Sequence, residues 1–257
     1  MSHILNSITT MQFQEPSAFT TYMYDNLNVH MVSPLLFIVY VRLLTLIRPI
    51  PNSNVMKFCR KLHNIVLSLL SLFMLITITQ ATFAAGKFES LNDLLCVRYV
   101  DGIDDSVTNL AHMSASLFLY SKYLEWGDTL FLQLSNKPIS MLQYTHHMTT
   151  AFLMYMNYVD YLSPQVFIFM GLNCFVHIWM YWYFAFPKGV LYPVRKLITQ
   201  LQILQHIICI CTTVYTFTLP NCQQNAYGND FCLVMYSMYL FYFSAFYVKS
   251  YIKKKNQ

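Results

Sequence analysis

The chain has 257 residues, of which 56% are apolar, 17% are aromatic and only 11% are charged, and its formal net charge is +5. Soluble domains carry about 25% charged residues, so this composition excludes a disordered chain, a basic nucleic-acid-binding domain and a secreted disulfide scaffold. Most of the chain is therefore expected to lie in a lipid bilayer.

Seven mostly apolar segments have the length of a membrane-spanning helix, which needs roughly 20 residues to cross a hydrocarbon core about 30 Å thick. In chain order they are Val32–Ile47, Leu62–Ala85, Leu110–Leu134, Ile139–Tyr158, Leu162–Phe186, Leu197–Leu219 and Phe231–Val248. The third and fourth spans carry enough polar residues that hydropathy alone rates them weakly. The predicted fold class is all-α, a polytopic membrane protein with seven transmembrane helices.

The connections between these spans alternate in charge. Most of the 16 Lys and Arg residues lie in one set of alternate connections, which includes the C-terminal one and contains no acidic residue. All acidic residues except Glu125 and Asp128 lie in the other set. Because cytosolic loops carry the excess of Lys and Arg, the C-terminus is expected in the cytosol and the N-terminus on the lumenal side.

The seven predicted spans and the charges of their connections define three regions. Residues 1–30 form a lumenal tail, in which no basic start precedes an apolar run, so we expect no cleavable signal peptide there. Residues 31–249 form the seven-helix domain, and residues 250–257 form a cytosolic tail. Lys254 and Lys255 near its end fit a dilysine signal for retrieval to the endoplasmic reticulum, or a plain membrane anchor.

Polar residues form a stripe in each of spans three to six, and all four stripes fall in the cytosolic half of the predicted topology. Ionisable residues at membrane depth are costly and indicate function by default. Offsets of three and four keep side chains on one helix face. The stripes read Lys122-x-x-Glu125-x-x-Asp128-Thr129, Gln143-x-x-His146-His147, Asn173-x-x-x-His177-x-x-Met180-Tyr181-x-Tyr183 and Thr199-x-x-Gln202-x-x-Gln205. Taken singly, each also fits a structural ion pair or a hydrogen-bonded packing contact.

Taken together and in this order, these motifs resemble those of the ELO family of fatty-acid elongases, membrane enzymes of the endoplasmic reticulum. The resemblance extends from about Arg60 to Lys255. Two positions depart from the family pattern, because Gln143 stands at the first His of the second motif and Phe184 at the last Tyr of the third. A Gln amide donates and accepts hydrogen bonds but cannot titrate, so we expect an orienting role at position 143.

The resemblance implies an acyltransferase of the EC 2.3.1 class that condenses a long-chain acyl-CoA with malonyl-CoA to 3-ketoacyl-CoA, CO2 and CoA. Neutral imidazole is a good nucleophile near pH 7, and the family pattern implies an acyl-imidazole intermediate on His146. His177 would position malonyl-CoA, and His147 would orient its neighbours or handle protons. The acyl chain would run in a tunnel enclosed by the helices, toward the lumenal end. Beyond the two CoA thioesters, no cofactor or metal is expected.

Supporting residues follow from the same motifs. Lys122, Glu125 and Asp128 would form a buried network that holds the histidine-bearing span in place, and breaking it should be severe. The enolate and the tetrahedral oxyanion need preorganised donors. The candidates for those donors are Asn173, Tyr181, Gln202 and Gln205, with Thr129, Tyr183 and Thr199 as further members of the motifs.

The basic cytosolic loops suit the phosphates of CoA, although the positive-inside rule alone explains them equally well. The candidates are Lys137, Lys188, Arg195 and Lys196. On the lumenal side a disulfide can persist, and one is predicted between Cys96 and either Cys222 or Cys232. Expected partners are membrane lipid, the reductases and dehydratase of the elongation cycle and a second copy of the chain, and no nucleic acid.

Other classes of membrane protein account for part of this pattern. A di-iron desaturase or hydroxylase also uses paired histidines, but it needs more clustered His ligands than the three that share this site. A seven-helix receptor has the same span count without a need for these polar clusters. A transporter should have two related halves, and the sequence has no such repeat.

Overall fold

The computed structural model describes residues 27–51, 53–97, 105–158 and 162–252. Most of the predicted lumenal tail and the dilysine pair Lys254-Lys255 lie outside these residues. All regular secondary structure within the described ranges is helical. This agrees with the all-α class predicted from composition.

An α-helix occupies each of the seven predicted spans. These helices are α1 Ser33–Leu44, α2 Asn54–Ala84, α3 Asp105–Leu134, α4 Met141–Met156, α5 Val166–Ala185, α6 Arg195–Thr218 and α7 Ala226–Tyr247. A 3-10 helix, Leu27–Val32, precedes α1, and a short helix, Leu91–Cys96, lies between α2 and α3. A π-helix, Val248–Ile252, continues α7.

Four of these helices are long and apolar enough to cross a membrane by length and composition, namely α2, α5, α6 and α7 with its π-helical continuation. The chain is therefore a multi-pass membrane protein. Helices α3 and α4 are absent from this group, as their polar stripes led us to expect, and α1 is a shorter apolar helix. The count of seven spans stays a prediction.

Side-chain caps determine where several helices begin. The Ser53 hydroxyl accepts the N–H of Met56 at 3.2 Å, so α2 begins at Asn54, well before the predicted apolar span. The Ser140 hydroxyl accepts the N–H of Gln143 at 3.1 Å at the start of α4. Because such caps satisfy N–H groups that have no partner within the helix, they let helices extend beyond the apolar segment into polar surroundings.

Six helices pack in a closed ring in the order α2, α3, α4, α7, α6 and α5, and α5 returns to α2. Helix α1 lies outside the ring against α4 and α3. Buried apolar side chains fill the ring in two clusters. One includes Met74, Ala115, Met154 and Met170, and the other includes Leu153, Phe169, Cys209 and Tyr236. The ring brings the polar stripes of α3, α4, α5 and α6 toward a common interior.

A disulfide between Cys96 and Cys222, with 4.5 Å between the Cα atoms, joins the short helix to the connection between α6 and α7. Of the two pairings left open by the sequence, the structure has this one, and Cys232 is a buried free thiol whose Sγ accepts from Asn157 Nδ2 at 3.1 Å. We call this end of the bundle the disulfide end. The opposite end, which carries Arg60, Lys137 and Arg195, is called the basic end.

Candidate active site

Four side chains from α3 and α5 form a closed cycle of polar contacts, which we call the four-residue network. Lys122 Nζ donates to Glu125 Oε1 at 2.7 Å and to Asn173 Oδ1 at 2.9 Å. Asn173 Nδ2 lies 3.1 Å from His177 Nε2, and His177 Nδ1 lies 3.4 Å from Glu125 Oε1. The network thus ties the stripe of α3 to the stripe of α5.

The charged members of this network are withdrawn from solvent. Lys122 and Glu125 are each 2% exposed, and His177 is 6% exposed. Lys122 Nζ also lies 4.0 Å from the centroid of the Phe118 ring, a cation–π contact. A buried ion pair persists only when hydrogen bonds complete it. Here they also assign the His177 tautomer, with a proton on Nδ1 facing Glu125 and a lone pair on Nε2 facing Asn173.

Asp128, one turn further along α3, is held from two directions. The Tyr181 hydroxyl of α5 donates to Asp128 Oδ2 at 2.9 Å. His63 Nε2 of α2 lies 3.2 Å from Asp128 Oδ1. The Tyr181 ring in turn lies edge-on to the His177 ring, with 5.2 Å between the centroids. The carboxylate therefore links α2, α3 and α5 beside the network.

The paired histidines of α4 have different surroundings. His147 is buried, its ring stacks on Phe37 of α1 at 6.2 Å, and its carbonyl accepts from Trp126 Nε1 at 3.1 Å. The His146 imidazole instead faces the interior of the helix bundle, against Tyr239 of α7, with 5.1 Å between the centroids of the two side-chain rings. His147 thus anchors α4 to its neighbours, and both histidines border open space inside the bundle.

A cavity of about 580 Å³ opens between these groups, and it reaches the basic end. All three motif histidines line it. The other motif residues along its wall are Glu125, Asp128, Gln143, Met180, Tyr181, Tyr183, Thr199 and Gln202. Arg60, Lys137 and Arg195 line it at the basic end. A volume of this size is typical of a small-molecule site.

A second cavity lies on the other side of His146, toward the disulfide end. Its volume is about 30 Å³, and its wall includes His146, Lys122 and Gln205 at one end and Asn157 at the other. This volume has room for one or two water molecules. The predicted acyl tunnel runs in this direction, and it stays a prediction.

The structure therefore brings most of the sequence-predicted site residues around one space, with several differences. Lys122 and Asn173 line the small cavity rather than the large one, and the buried Thr129 lines neither. Lys188 and Lys196 do not line the large cavity, unlike Lys137 and Arg195, and Lys196 lies over the ring of Tyr247 at 5.4 Å. Tyr181 donates its proton to Asp128, so it is engaged as a structural donor rather than directed at an oxyanion. Gln205 lines the small cavity, separately from Gln202.

Gln143, which replaces a histidine of the family pattern, has a clear contact. Its Nε2 donates to the Thr129 hydroxyl at 3.3 Å, which links α4 to α3. Thr129 is fully buried. The amide thus makes a hydrogen bond that an imidazole N–H could also make. The orienting role of Gln143 stays a prediction.

The sequence reasoning missed two site residues of α2 and one of α6. Arg60 precedes the predicted second span and His63 is the second residue of it, and no motif includes either residue. His206 follows Gln205 directly, is 3% exposed and lines the small cavity. A signal existed for α2, because the predicted topology puts both His63 and Asp128 in the cytosolic half of the membrane.

The arrangement suits nucleophilic and electrostatic catalysis. Both ring nitrogens of His177 are engaged by the four-residue network, so its orientation is fixed. The ring contacts of His146 are with aromatic groups, and it borders both cavities. Among the described residues, no group of three or more His, Cys, Asp or Glu side chains is arranged to hold a metal ion.

Comparison with known proteins gives a consistent result. The family model described as the GNS1/SUR4 family, ELO, matches residues 22–257. Fatty acid elongase 2 of Trypanosoma brucei brucei is 31% identical over 221 residues, which is 80% of this chain and 79% of that protein. Fatty acid elongase 2 of Trypanosoma cruzi is 29% identical over 80% of this chain and 77% of its own length. Long chain fatty acid elongase 2 of Caenorhabditis elegans is 33% identical over 54% of each chain. No solved structure matches the chain.

Proposed function

We propose that this chain, which belongs to the ELO (GNS1/SUR4) family, is the condensing enzyme of fatty acid elongation. It would join a long-chain acyl-CoA to malonyl-CoA and release 3-ketoacyl-CoA, CO2 and CoA. One observation carries the proposal, namely that His146 and His147 from α4 and His177 from α5 line a single cavity of about 580 Å³. The named elongases among its relatives support the same reaction class.

In the first step, His146 is the nucleophile. A ring nitrogen attacks the thioester carbonyl, the C–N bond forms and the C–S bond breaks, and the imidazole proton passes to the departing CoA thiolate. Two features favour His146 for this role. Both nitrogens of His177 are engaged by the four-residue network, and His146 borders both cavities, whereas His147 borders the large cavity alone.

In the second step, malonyl-CoA loses CO2 and leaves an enolate, which attacks the acyl carbonyl on His146. The new C–C bond forms as the C–N bond breaks, and the released imidazole takes up one proton. His177, whose ring is fixed by Glu125 and Asn173, would position malonyl-CoA for this attack. Gln202 lies on the cavity wall and is the remaining candidate donor to the oxyanion there.

The two ends of the acyl-CoA would extend in opposite directions from His146. The phosphates of CoA would lie at the basic end, where Lys137, Arg195 and Arg60 line the cavity. The acyl chain would extend from His146 into the small cavity toward the disulfide end, and that requires the wall to open. Met154 and Met170 lie on this wall, and their unbranched side chains can adopt new rotamers at low cost.

The cellular setting is also part of the proposal. The seven helices would cross the endoplasmic reticulum membrane with the C-terminus in the cytosol, where acyl-CoA and malonyl-CoA are available. The product, a 3-ketoacyl thioester, must then be reduced, dehydrated and reduced again for a saturated chain to form. Reductases and a dehydratase in the same membrane are therefore the expected partners.

Purified protein supplied with labelled malonyl-CoA and acyl-CoAs of different chain lengths tests the proposal. The wild type should form 3-ketoacyl-CoA, and His146→Ala and His177→Ala should not. His112→Gln is a matched control, because this buried histidine contacts the Tyr158 hydroxyl at 2.8 Å and an amide can replace it there. A folded wild type without product, or a His146→Ala variant with normal product, would contradict the proposal.

A further inference from the structure

His63 of α2 contacts the site although none of the four motifs includes it. Its Nε2 lies 3.2 Å from Asp128 Oδ1. The same carboxylate accepts from the Tyr181 hydroxyl on its other oxygen. A carboxylate is an acceptor only, so His63 must present an N–H to it. Both oxygens of Asp128 are therefore engaged, one from α2 and one from α5.

The backbone of α3 has a gap that admits the His63 ring. A Cβ atom at Gly127 would lie 3.2 Å from His63 Nε2 and 2.7 Å from its Cε1, and the second distance is closer than real Cβ atoms approach. One turn further on, the Phe131 ring also contacts His63, with 5.2 Å between the ring centroids. The ring thus lies in a slot between residues 127 and 131, and a Cβ at position 127 would force the ring to shift.

This slot is connected to His177 through two contacts. Asp128 receives the Tyr181 hydroxyl, and the Tyr181 ring lies edge-on to His177 at 5.2 Å. Asp128 and Tyr181 both line the large cavity, whereas His63 lies behind them and is not on its wall. His63 therefore acts on the site through Asp128 rather than by touching substrate.

We propose that His63 is a positioning residue for the second step, the condensation with malonyl-CoA. His63 fixes Asp128, and Asp128 holds Tyr181. Through Tyr181, His63 thereby fixes the side of the His177 ring that the four-residue network leaves open. This inference rests on the proposed condensation. It assigns His63 to the second step alone, since His146 is held by α7 aromatic rings on a different wall. Gly127 is assigned the matching role of leaving space for the ring.

The two steps can be measured separately. Release of CoA from acyl-CoA without malonyl-CoA reports the first step, and release of CO2 from labelled malonyl-CoA on acyl-loaded protein reports the second. We expect His63→Ala to keep the first step and to lose the second by roughly 10- to 100-fold, because a displacement of about 1 Å near reacting groups can cost that much. The loss should appear in kcat rather than in the KM for malonyl-CoA.

Two further variants separate positioning from simple stability. His63→Gln should restore most of the second step, since its amide can donate to the same carboxylate oxygen. Gly127→Ala should reproduce the His63→Ala defect by displacing the ring, and it carries the test if His63→Ala does not fold. Gly171→Ala is the matched control and should leave both steps unchanged, because a Cβ there meets only Ile78 Cγ2 at 4.0 Å.

The outcomes are distinct. Loss of both steps in equal proportion, loss of neither, or equal defects in His63→Ala and His63→Gln would overturn the positioning role while the condensation itself stood. A folded wild type that neither releases CoA nor consumes malonyl-CoA would overturn both proposals.

Discussion

The ion pair between Lys122 and Glu125 offers the sharpest prediction about stability. Replacing Lys122 with Met keeps much of the side-chain volume but leaves Glu125, which is 2% exposed, without its 2.7 Å partner. Oε2 of Glu125 already has no hydrogen-bond partner among the described residues. The variant would therefore bury a carboxylate whose remaining polar contact is His177 at 3.4 Å.

Breaking one partner of a buried pair costs about 3–5 kcal/mol, whereas removing the charge from both is close to neutral. For a domain of 150–250 residues, each kcal/mol shifts Tm by about 2–4 °C, so Lys122→Met should lower Tm by about 6–20 °C. The double variant Lys122→Met/Glu125→Gln should recover most of that loss, since the amide is uncharged and can still accept from His177.

Thermal unfolding of the wild type, both single variants and the double variant in one detergent gives the coupling between the two residues directly. Activity provides a second readout, because loss of the network also frees Asn173 and His177, and both single variants should be inactive. The reasoning fails if the effects of Lys122→Met and Glu125→Gln simply add, or if Lys122→Met leaves Tm unchanged.

Three further predictions concern other contacts. Gln143→Ala should lower condensation roughly 2- to 10-fold, the effect of a neutral hydrogen bond worth about 0.5–1.5 kcal/mol, and a Gln143→His variant assayed beside it should stay near the wild type because it can still reach Thr129. Cys96→Ser should cost about 2–5 kcal/mol of stability, and a non-reducing peptide map of the wild-type protein should recover Cys96 linked to Cys222. Gln165→Leu should lower Tm, since it leaves the buried amide of Asn229 without its hydrogen-bond partner, a loss of about 1–3 kcal/mol; an unchanged Tm would contradict that contact.

Much of the fold was accessible from the sequence because hydropathy and loop charge are properties of single segments. The charge alternation supported the two spans that contain α3 and α4, even though their polar stripes weaken their hydropathy. Helix ends were less accessible. The start of α2 at Asn54 depends on the Ser53 cap, which acts in a stretch too polar to count as part of a span.

The candidate site was predicted as far as residues share a helix face. Lys122, Glu125 and Asp128 repeat at intervals of three, so their grouping follows from helical geometry. The contact between His63 and Asp128 spans 65 positions. It depends on the packing of α2 beside α3 in the helix ring. Which helices are neighbours cannot be deduced from the hydropathy or charge of single segments. The role of Gly127 likewise depends on the His63 ring that packs beside it.

The central claim is that acyl transfer to His146 precedes condensation, and one mass measurement tests it most directly. Purified wild-type protein is mixed with acyl-CoA alone, its intact mass and peptides are measured, and malonyl-CoA is then added. The account predicts one acyl group per chain on His146, a matching release of CoA, and transfer of that group to 3-ketoacyl-CoA after the addition. Formation of 3-ketoacyl-CoA without any prior acyl adduct or CoA release would contradict it.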